Sequence, residues 1–151
     1  MKAALYIVPT PIGNRDDITI RAIDVLRSVD IIAAEDTRHS KPLLRHYDVA
    51  TTVVSFHEHS GESEAGALAE RIAQGQSIAL ISDAGTPLVS DPGYQLVRAV
   101  QGLALPIIPL PGPCAAITAL SAAGLPTHSF RFEGFLAAKR GARRARLEAL
   151  R

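Results

Sequence analysis

The chain has 151 residues, 47% of them hydrophobic and 21% charged, which is the balance of one soluble globular domain. Its single cysteine excludes an internal disulfide framework and favours a reducing compartment. No apolar run reaches the roughly 18 residues of a membrane span, and no secretory signal is evident, so we expect a cytoplasmic protein without a membrane partner. The formal net charge of +1 by itself indicates no class of partner.

Short apolar runs alternate with segments of helical periodicity along most of the chain. The first helix is predicted to begin at a capping residue, Asp17 or Thr19, and the second to end at Tyr47. Five strand and helix units in succession predict an α/β fold with a mostly parallel five-stranded sheet and helices on both faces. The predicted strands cover residues 4–8, 30–34, 52–56, 78–82 and 105–108, and the later helices cover 64–74, 93–101 and 114–123.

The pattern changes after Leu125 and Pro126. Residues 129–135 alternate as in a half-buried strand, with Phe130 and Phe132 on one face. A basic helical segment follows, and the chain reaches Arg151 without a cap or a stop signal. We therefore expect an N-terminal α/β domain over 1–125 and, over 126–151, the beginning of a second α/β domain whose remainder is absent.

Three loops rich in glycine and proline follow predicted strands, over residues 8–14, 83–93 and 109–116. Their small side chains let the main chain approach a ligand closely, because glycine tolerates conformations that a Cβ forbids and proline fixes φ. The carboxyl ends of parallel strands share one edge of the sheet, where α/β proteins bind small molecules. The loops therefore predict one ligand crevice, with ordinary surface turns as the alternative.

Two polar clusters also follow predicted strands. Glu35 and Asp36 end the second strand, either as functional carboxylates or, for Asp36, as the cap of the next helix. His57, Glu58 and His59 end the third strand, where residues two apart share a face and both imidazoles can reach one ion. No third or fourth ligand stands at a recognised spacing, so the sequence predicts no metal site and favours a histidine pair that binds substrate, backbone or water.

A basic run near the C-terminus is opposed locally only by Glu148. Such a run can track nucleic-acid phosphates, and its alternative is a solvated helix face. The familiar nucleotide motifs are missing, since neither a P-loop nor a Gly-x-Gly-x-x-Gly after the first strand occurs. The members of the basic run are Lys139, Arg140, Arg143, Arg144, Arg146 and Arg151.

Taken together, these residues closely resemble the tetrapyrrole methylase superfamily and, within it, the small-subunit ribosomal RNA ribose 2′-O-methyltransferase I family. The Glu-Asp-Thr-Arg block at 35–38 and the Phe-His-Glu-His block at 56–59 are those of the RNA branch. Cobalamin and sirohaem methylases share the fold and a looser loop pattern. The similarity extends in order over essentially the whole chain, through residues 5–14, 17–22, 33–38, 55–59, 82–93, 110–113, 115–120 and 132–136.

The resemblance implies a domain that binds S-adenosylmethionine in a cleft between two α/β domains. It also implies methylation of a cytidine ribose in small-subunit ribosomal RNA, free or in an assembled 30S-type subunit, by a homodimer. The cofactor positions that it implies are Pro9, Thr10, Gly13, Asp83, Ala84, Gly85, Thr86, Pro111, Gly112, Cys114 and Ala115. A general base is expected among Glu35, Asp36, His57 and Glu58. RNA contacts are expected at Arg38, His59, Lys139, Arg140, Arg143 and Arg144.

Two features depart from the family pattern. Cys114 stands where the family usually has serine, which should weaken a hydrogen bond rather than abolish the fold. A helix start can lower the pKa of a thiol, but no base lies nearby in sequence, so we interpret Cys114 as a packed residue. We also expect the chain to lack most of the family's second domain, which leaves a non-catalytic cofactor-binding or RNA-binding fragment as one alternative. A tetrapyrrole C-methyltransferase is the other, although such an enzyme has no need of the basic run.

Overall fold

A computed structural model of the protein describes residues 1–57 and 60–150. Five strands form one sheet in the order β3-β2-β4-β1-β5, and all neighbouring strands are parallel. The predicted five-stranded parallel sheet is therefore confirmed. The strands are β1 (Leu5–Ile7), β2 (Ile31–Ala34), β3 (Thr52–Ser55), β4 (Ile78–Ile81) and β5 (Ile107–Pro109). The helices are α1 (Ile20–Ser28), α2 (Thr37–His46), α3 (Glu62–Ala73), α4 (Tyr94–Gly102), α5 (Ala115–Ala122) and α6 (Arg140–Ala149).

Helices cover both faces of the sheet, as the alternating pattern predicts. On one face Leu26 of α1 and Leu44 of α2 are buried against Ile32 and its neighbours. On the other face Ile72 of α3 and Leu96 of α4 are buried in a second cluster. Successive strand residues point to opposite faces, so one short apolar strand supplies both clusters. Each fully buried leucine or isoleucine side chain stabilises the fold by about 1.5–3 kcal/mol.

Hydrogen bonds between Asp30 and Ser77 join the amino ends of β2 and β4. The Ser77 N–H and hydroxyl both donate to Asp30 Oδ2, at 2.7 and 2.6 Å, and the Asp30 N–H donates to Ser77 Oγ at 3.2 Å. Ser77 is fully buried. These hydrogen bonds, led by the one from the Ser77 hydroxyl, hold the pKa of Asp30 below its usual range.

Local capping decides where α1 begins. The Thr19 hydroxyl accepts a hydrogen bond from the Ala22 N–H at 3.0 Å and so satisfies one of the free donors of the first turn. Of the two predicted caps, Asp17 and Thr19, Thr19 is therefore the one used. Among the described residues, no helix is long and apolar enough to cross a bilayer.

The prediction of a strand over 129–135 is wrong. Phe130 and Phe132 are 55% and 51% exposed, and no described strand pairs with this segment. A strand needs a backbone partner, and an alternating pattern alone does not supply one. The segment is held instead by ion pairs from Glu133 to Arg131 and to Arg146 of α6. The basic helix α6 is confirmed, and neither α5 nor α6 buries any residue.

Candidate active site

The three glycine- and proline-rich loops are joined to one another at the carboxyl edge of the sheet. Thr10 and Gly85 exchange two backbone hydrogen bonds of 2.9 and 3.0 Å, which tie the loop after β1 to the loop after β4. The Thr86 hydroxyl donates to the Pro113 carbonyl at 3.0 Å and ties in the loop after β5. The loops therefore converge, as their positions after parallel strands predict.

A cavity of about 310 Å³ lies among these loops, bounded by Ile12, residues 84–86, residues 89–91, the start of α5 and Phe132 and Phe135. We call it the loop cavity. Gly85 has a φ of +84°, and a Cβ there would lie 3.3 Å from Ile12 Cγ2, so only glycine suits this wall. Five of the predicted cofactor positions line the cavity: Ala84, Gly85, Thr86, Cys114 and Ala115.

A second cavity of about 620 Å³, the arginine cavity, lies between the loop after β1 and the first turns of α2. Its wall includes Arg15, Arg38 and His39. Arg38, a predicted RNA contact, has a side chain that is 89% exposed. The arginine cavity is lined by four predicted cofactor positions, namely Thr10, Gly13, Asp83 and Ala84.

The remaining predicted cofactor positions support the loops rather than line these two cavities. Pro9 and Gly112 are in close contact, because a Cβ on Gly112 would lie 2.8 Å from Pro9 Cβ. Pro111 precedes that contact in the same loop. The loops after β1 and β5 approach each other this closely only because position 112 has no side chain.

A third cavity of about 370 Å³, the acid cavity, brings Glu35 together with His57. Glu35 follows β2 and His57 follows β3, so the parallel sheet places both at the same edge. Residues 90–95 complete the wall on the side of α4. Two of the predicted general bases therefore share one cavity. The other members of this cluster, Glu58 and His59, lie outside the described residues.

Asp36 is engaged in the local structure of α2. Its carboxylate accepts the Arg38 N–H at 2.8 Å as the helix cap and pairs with the Arg38 guanidinium at 3.2 Å. The hydrogen bond from the Arg38 side chain is the main cause that lowers the pKa of Asp36. The arrangement is that of the structural alternative, in which Asp36 caps the helix.

Hydrogen bonds to acidic side chains also connect the loops that follow β2 and β4. The Asp83 N–H donates to Glu35 Oε2, and the Asp36 N–H donates to Asp83 Oδ1, both at 3.3 Å. Each loop therefore presents a backbone donor to a carboxylate of the other loop. Asp83, which the resemblance assigns to the cofactor, thus also holds the β2 and β4 loops together.

Sequence reasoning misses Ser90 and Asp91, which line both the loop cavity and the acid cavity. Burial raises the pKa of Asp91; a hydrogen bond from Ser82 opposes this shift, and the nearby Asp83 carboxylate adds to it. The sequence feature that could have indicated a site role for them is their position as adjacent polar residues in the second half of the loop over 83–93.

The predicted basic RNA contacts near the C-terminus lie on α6 or at its start. Lys139 directly precedes the first turn of α6 without a capping hydrogen bond from its side chain, and the side chains of Arg140, Arg143 and Arg144 are exposed. Arg144 pairs with Glu148 at 2.7 Å, one turn further along. Within residues 1–57 and 60–150, no group of three or more side chains could hold a metal ion.

The sequence profile described as "Tetrapyrrole (Corrin/Porphyrin) Methylases" matches residues 4–151. The chain belongs to this family. It is 58% identical over 143 residues to "Ribosomal RNA small subunit methyltransferase I" of Vibrio cholerae, covering 95% of this chain and 50% of that protein. It is 56% identical over 146 residues to the protein of the same name from Escherichia coli, covering 97% of this chain and 51% of that protein. The chain thus spans about half the length of these relatives.

The fold has counterparts among solved structures. The crystal structure of uroporphyrin-III-C-methyltransferase from Thermus thermophilus superposes with a TM-score of 0.61 at 25% identity. The match covers 83% of this chain and 54% of that one. The predicted resemblance is confirmed, and the greater identity is with the relatives named for ribosomal RNA.

Proposed function

We propose that this chain is the cofactor-binding part of an enzyme that methylates the ribose 2′-hydroxyl of a cytidine in small-subunit ribosomal RNA. The observation that carries the proposal is the 58% identity to a protein named "Ribosomal RNA small subunit methyltransferase I". A shared fold alone supports no particular reaction, because this fold serves several chemistries. Identity of this extent over 95% of the chain supports a shared reaction class.

S-adenosylmethionine is the proposed cofactor, and the loop cavity is its proposed site. Bound there, it supplies a methyl group already activated by a sulfonium, so the protein mainly has to position it. Residues 84–86 and 114–115 would hold it through backbone groups that small side chains leave accessible. The fit is supported by Gly85, where a side chain would crowd the wall against Ile12.

The acid cavity is the proposed place of the nucleotide whose hydroxyl reacts. A hydroxyl nucleophile benefits from a group that removes its proton. Glu35 and His57 line this cavity, and both are candidates for that role. Asp36 is a weaker candidate because its carboxylate already caps α2 and pairs with Arg38.

The proposed partner is small-subunit ribosomal RNA, free or in an assembled 30S-type subunit, bound in part by Arg38 and by the basic face of α6. We also propose a cytoplasmic homodimer that uses no metal and no membrane. The domain boundary near residue 125 is proposed as well. It is supported by the lack of any buried residue in the described parts of 123–150.

Two alternatives remain. A C-methyltransferase acting on a tetrapyrrole is favoured by the likeness to the Thermus thermophilus enzyme. A non-catalytic cofactor-binding or RNA-binding module is favoured by the half-length match to the relatives. The basic residues of α6 favour an RNA substrate over a tetrapyrrole.

The cofactor site is tested by calorimetric titration of the chain with S-adenosylhomocysteine. Ala115→Phe puts an aromatic ring into the loop cavity from an exposed position, and we expect it to weaken binding tenfold or more. Ala122→Phe, at the other end of α5, is the matched control and should bind as the parent does. If a folded parent chain does not bind, or both variants bind equally, the proposed site is wrong.

The reaction is tested with the protein extended to the full length of its relatives, labelled S-adenosylmethionine and small ribosomal subunits. We expect label in RNA at one cytidine, with the adjoining phosphodiester resistant to alkaline cleavage because its 2′-oxygen is blocked. Label that enters a base, or only a tetrapyrrole, would contradict the proposal.

The RNA surface is tested by the salt dependence of binding to small-subunit RNA. A variant with alanine at Arg140, Arg143 and Arg144 should reduce the slope of log affinity against log salt by about 0.7–0.9 for each phosphate that these arginines neutralise. The matched control removes three exposed arginines from other helices, namely Arg21, Arg45 and Arg98. Equal reductions in the two variants would mean that only net charge matters.

A further inference from the structure

Tyr94, the first residue of α4, places an aromatic ring beside the acid cavity. The residue is 66% exposed, and it lines the acid cavity together with Glu35 and His57. Tyr94 also lines a further cavity of about 370 Å³ between α3 and α4, which we call the helix cavity. Its ring therefore lies between the proposed nucleotide site and the helix cavity.

Arg98, one turn further along α4, holds the ring of Tyr94 in place. The central carbon of its guanidinium lies over the ring, 5.9 Å from the ring centroid. Its Nη1 also donates a hydrogen bond to the Tyr94 hydroxyl at 3.3 Å. Residues four apart are neighbours on a helix surface, and a cation is attracted to the face of an aromatic ring. The pair therefore fixes the orientation of the exposed ring.

The walls of the helix cavity suit a neutral, planar ligand. Glu62 of α3 and Arg98 of α4 bring opposite charges to the same cavity, so it has no net preference for an anion such as a phosphate. Ala65 and Ala99 add small apolar surfaces, and Gln95 adds an amide. The amide both donates and accepts hydrogen bonds, and the Glu62 carboxylate accepts them. A nucleobase has the flat face and the polar edge that these groups match.

The substrate strand brings such a base to this position. An RNA chain continues beyond the nucleotide whose hydroxyl reacts, and proteins bind single-stranded RNA by stacking its bases on aromatic side chains. Tyr94 and Gln95 line both the acid cavity and the helix cavity, so the two cavities adjoin each other there. A base next to a nucleotide in the acid cavity therefore meets the ring of Tyr94.

We propose that Tyr94 is a stacking platform for the base that neighbours the reacting nucleotide, with Gln95 and Glu62 at the edge of that base. This inference rests on the proposed function. Tyr94 takes no part in the methyl transfer and acts by binding the substrate strand. Because stacking neutralises no phosphate and releases no counterions, its contribution to affinity is independent of salt, unlike that of the arginines of α6.

The first test compares the binding of two oligomers, a short single-stranded RNA and a ribose-phosphate oligomer of the same length that lacks the bases. We expect the parent chain to prefer the RNA. Tyr94→Ala should weaken RNA binding about tenfold, equally at low and high salt, and leave the affinity for the abasic oligomer unchanged. Tyr94→Phe keeps the ring and should bind as the parent does. Leu103→Ala, exposed at the other end of α4, is the matched control and should change neither affinity.

A spectroscopic test reports the stacking directly. The chain contains no tryptophan, so Tyr94→Trp introduces a single indole fluorophore at the proposed platform. The RNA oligomer should quench its fluorescence and the abasic oligomer should not, because the stacked base is the quencher. Leu103→Trp is the matched control, and neither oligomer should quench it.

The outcomes separate this inference from the proposed function. If the folded parent chain binds both oligomers equally, only phosphates are bound, and Tyr94 is no platform. The inference is also overturned if Tyr94→Ala weakens both oligomers alike, or if RNA binds to Tyr94→Trp without quenching it. These three results leave the proposed reaction, which the labelled cofactor tests, standing. If the parent binds neither oligomer, this inference and the proposed RNA surface of α6 are both wrong.

Discussion

Two aspartates at opposite edges of the sheet, Asp30 and Asp91, lie in opposite environments. At the amino edge, Asp30 receives two short hydrogen bonds from Ser77, and its pKa lies below the usual range. At the carboxyl edge, Asp91 is partly buried beside Asp83, and its pKa lies above the usual range. The same side chain is therefore stabilised as an anion at one edge and destabilised as an anion at the other.

This difference separates residues that maintain the fold from residues that are available to a ligand. A carboxylate whose oxygens are satisfied within the protein stabilises the native state. A carboxylate that is partly desolvated beside a second carboxylate is less stable as an anion and binds a proton more readily. Asp30, between two strand starts, is of the first kind, and Asp91, in the loop after β4, is of the second.

The largest expected change in stability is at Gly93, the last residue of the loop over 83–93. Gly93→Ala should lower the free energy of unfolding by about 2–3 kcal/mol, because φ is +130° and the new methyl group meets the buried Leu80. Urea denaturation measures this change. The control is Gly66→Ala in α3, where no atom lies within 4 Å and helix propensity predicts a gain of up to about 1 kcal/mol. Equal effects would mean that Gly93 is no more constrained than the open position of Gly66 on α3.

A smaller loss is expected at the amino edge. The pKa of Asp30 is lower in the folded chain than in the unfolded one, so its carboxylate stabilises the fold above the usual aspartate pKa. That stabilisation is lost as pH falls through the lowered value. Asp30→Asn should therefore reduce the thermal midpoint near neutral pH and match the parent in acid. A deficit that is the same at every pH would show that the charge of Asp30 is unimportant.

The smallest effect has the opposite sign. The pKa of Asp91 is raised on folding, so its ionisation disfavours the native state as pH rises from the usual aspartate value through the raised one. Asp91→Asn should therefore raise the thermal midpoint near neutral pH and leave it unchanged in strong acid. A lower midpoint near neutral pH would place Asp91 with Asp30, among the residues that maintain the fold.

The sheet and its helices were predictable because they depend on local periodicity. The apolar run over 78–81 and the four-residue spacing of Leu68 and Ile72 suffice to place β4 and α3. The strand β5 begins two residues later than predicted and includes Pro109, which an edge strand tolerates because one side of it needs no donor. The segment over 129–135 was mispredicted because alternation indicates a face and does not provide a partner strand.

The candidate site was less predictable, because it depends on contacts between loops. From the sequence, Asp36 is either a functional carboxylate or the N-cap of α2. Its hydrogen bond from the Arg38 N–H and its ion pair with Arg38, visible only in the structure, show that it is the N-cap. Pro9 and Gly112 are predicted cofactor contacts, and their close packing against each other is visible only in the structure. The position of Asp91 beside two cavities is not predictable from the sequence, because it depends on the positive φ of Ser90 and on contacts between loops.

The strand order has a consequence for synthesis on the ribosome. β4 lies between β1 and β2, and Leu5 of β1 pairs with Ile78 of β4. In the nascent chain, β1 therefore has no partner strand on this side until β4 has emerged. Before that point only β2 and β3 are able to pair. Such long-range parallel pairing slows folding and exposes strand edges meanwhile. The pairing of β4 also brings the loop over 83–93 into place, so the carboxyl edge with its three loops is assembled only when the sheet is complete.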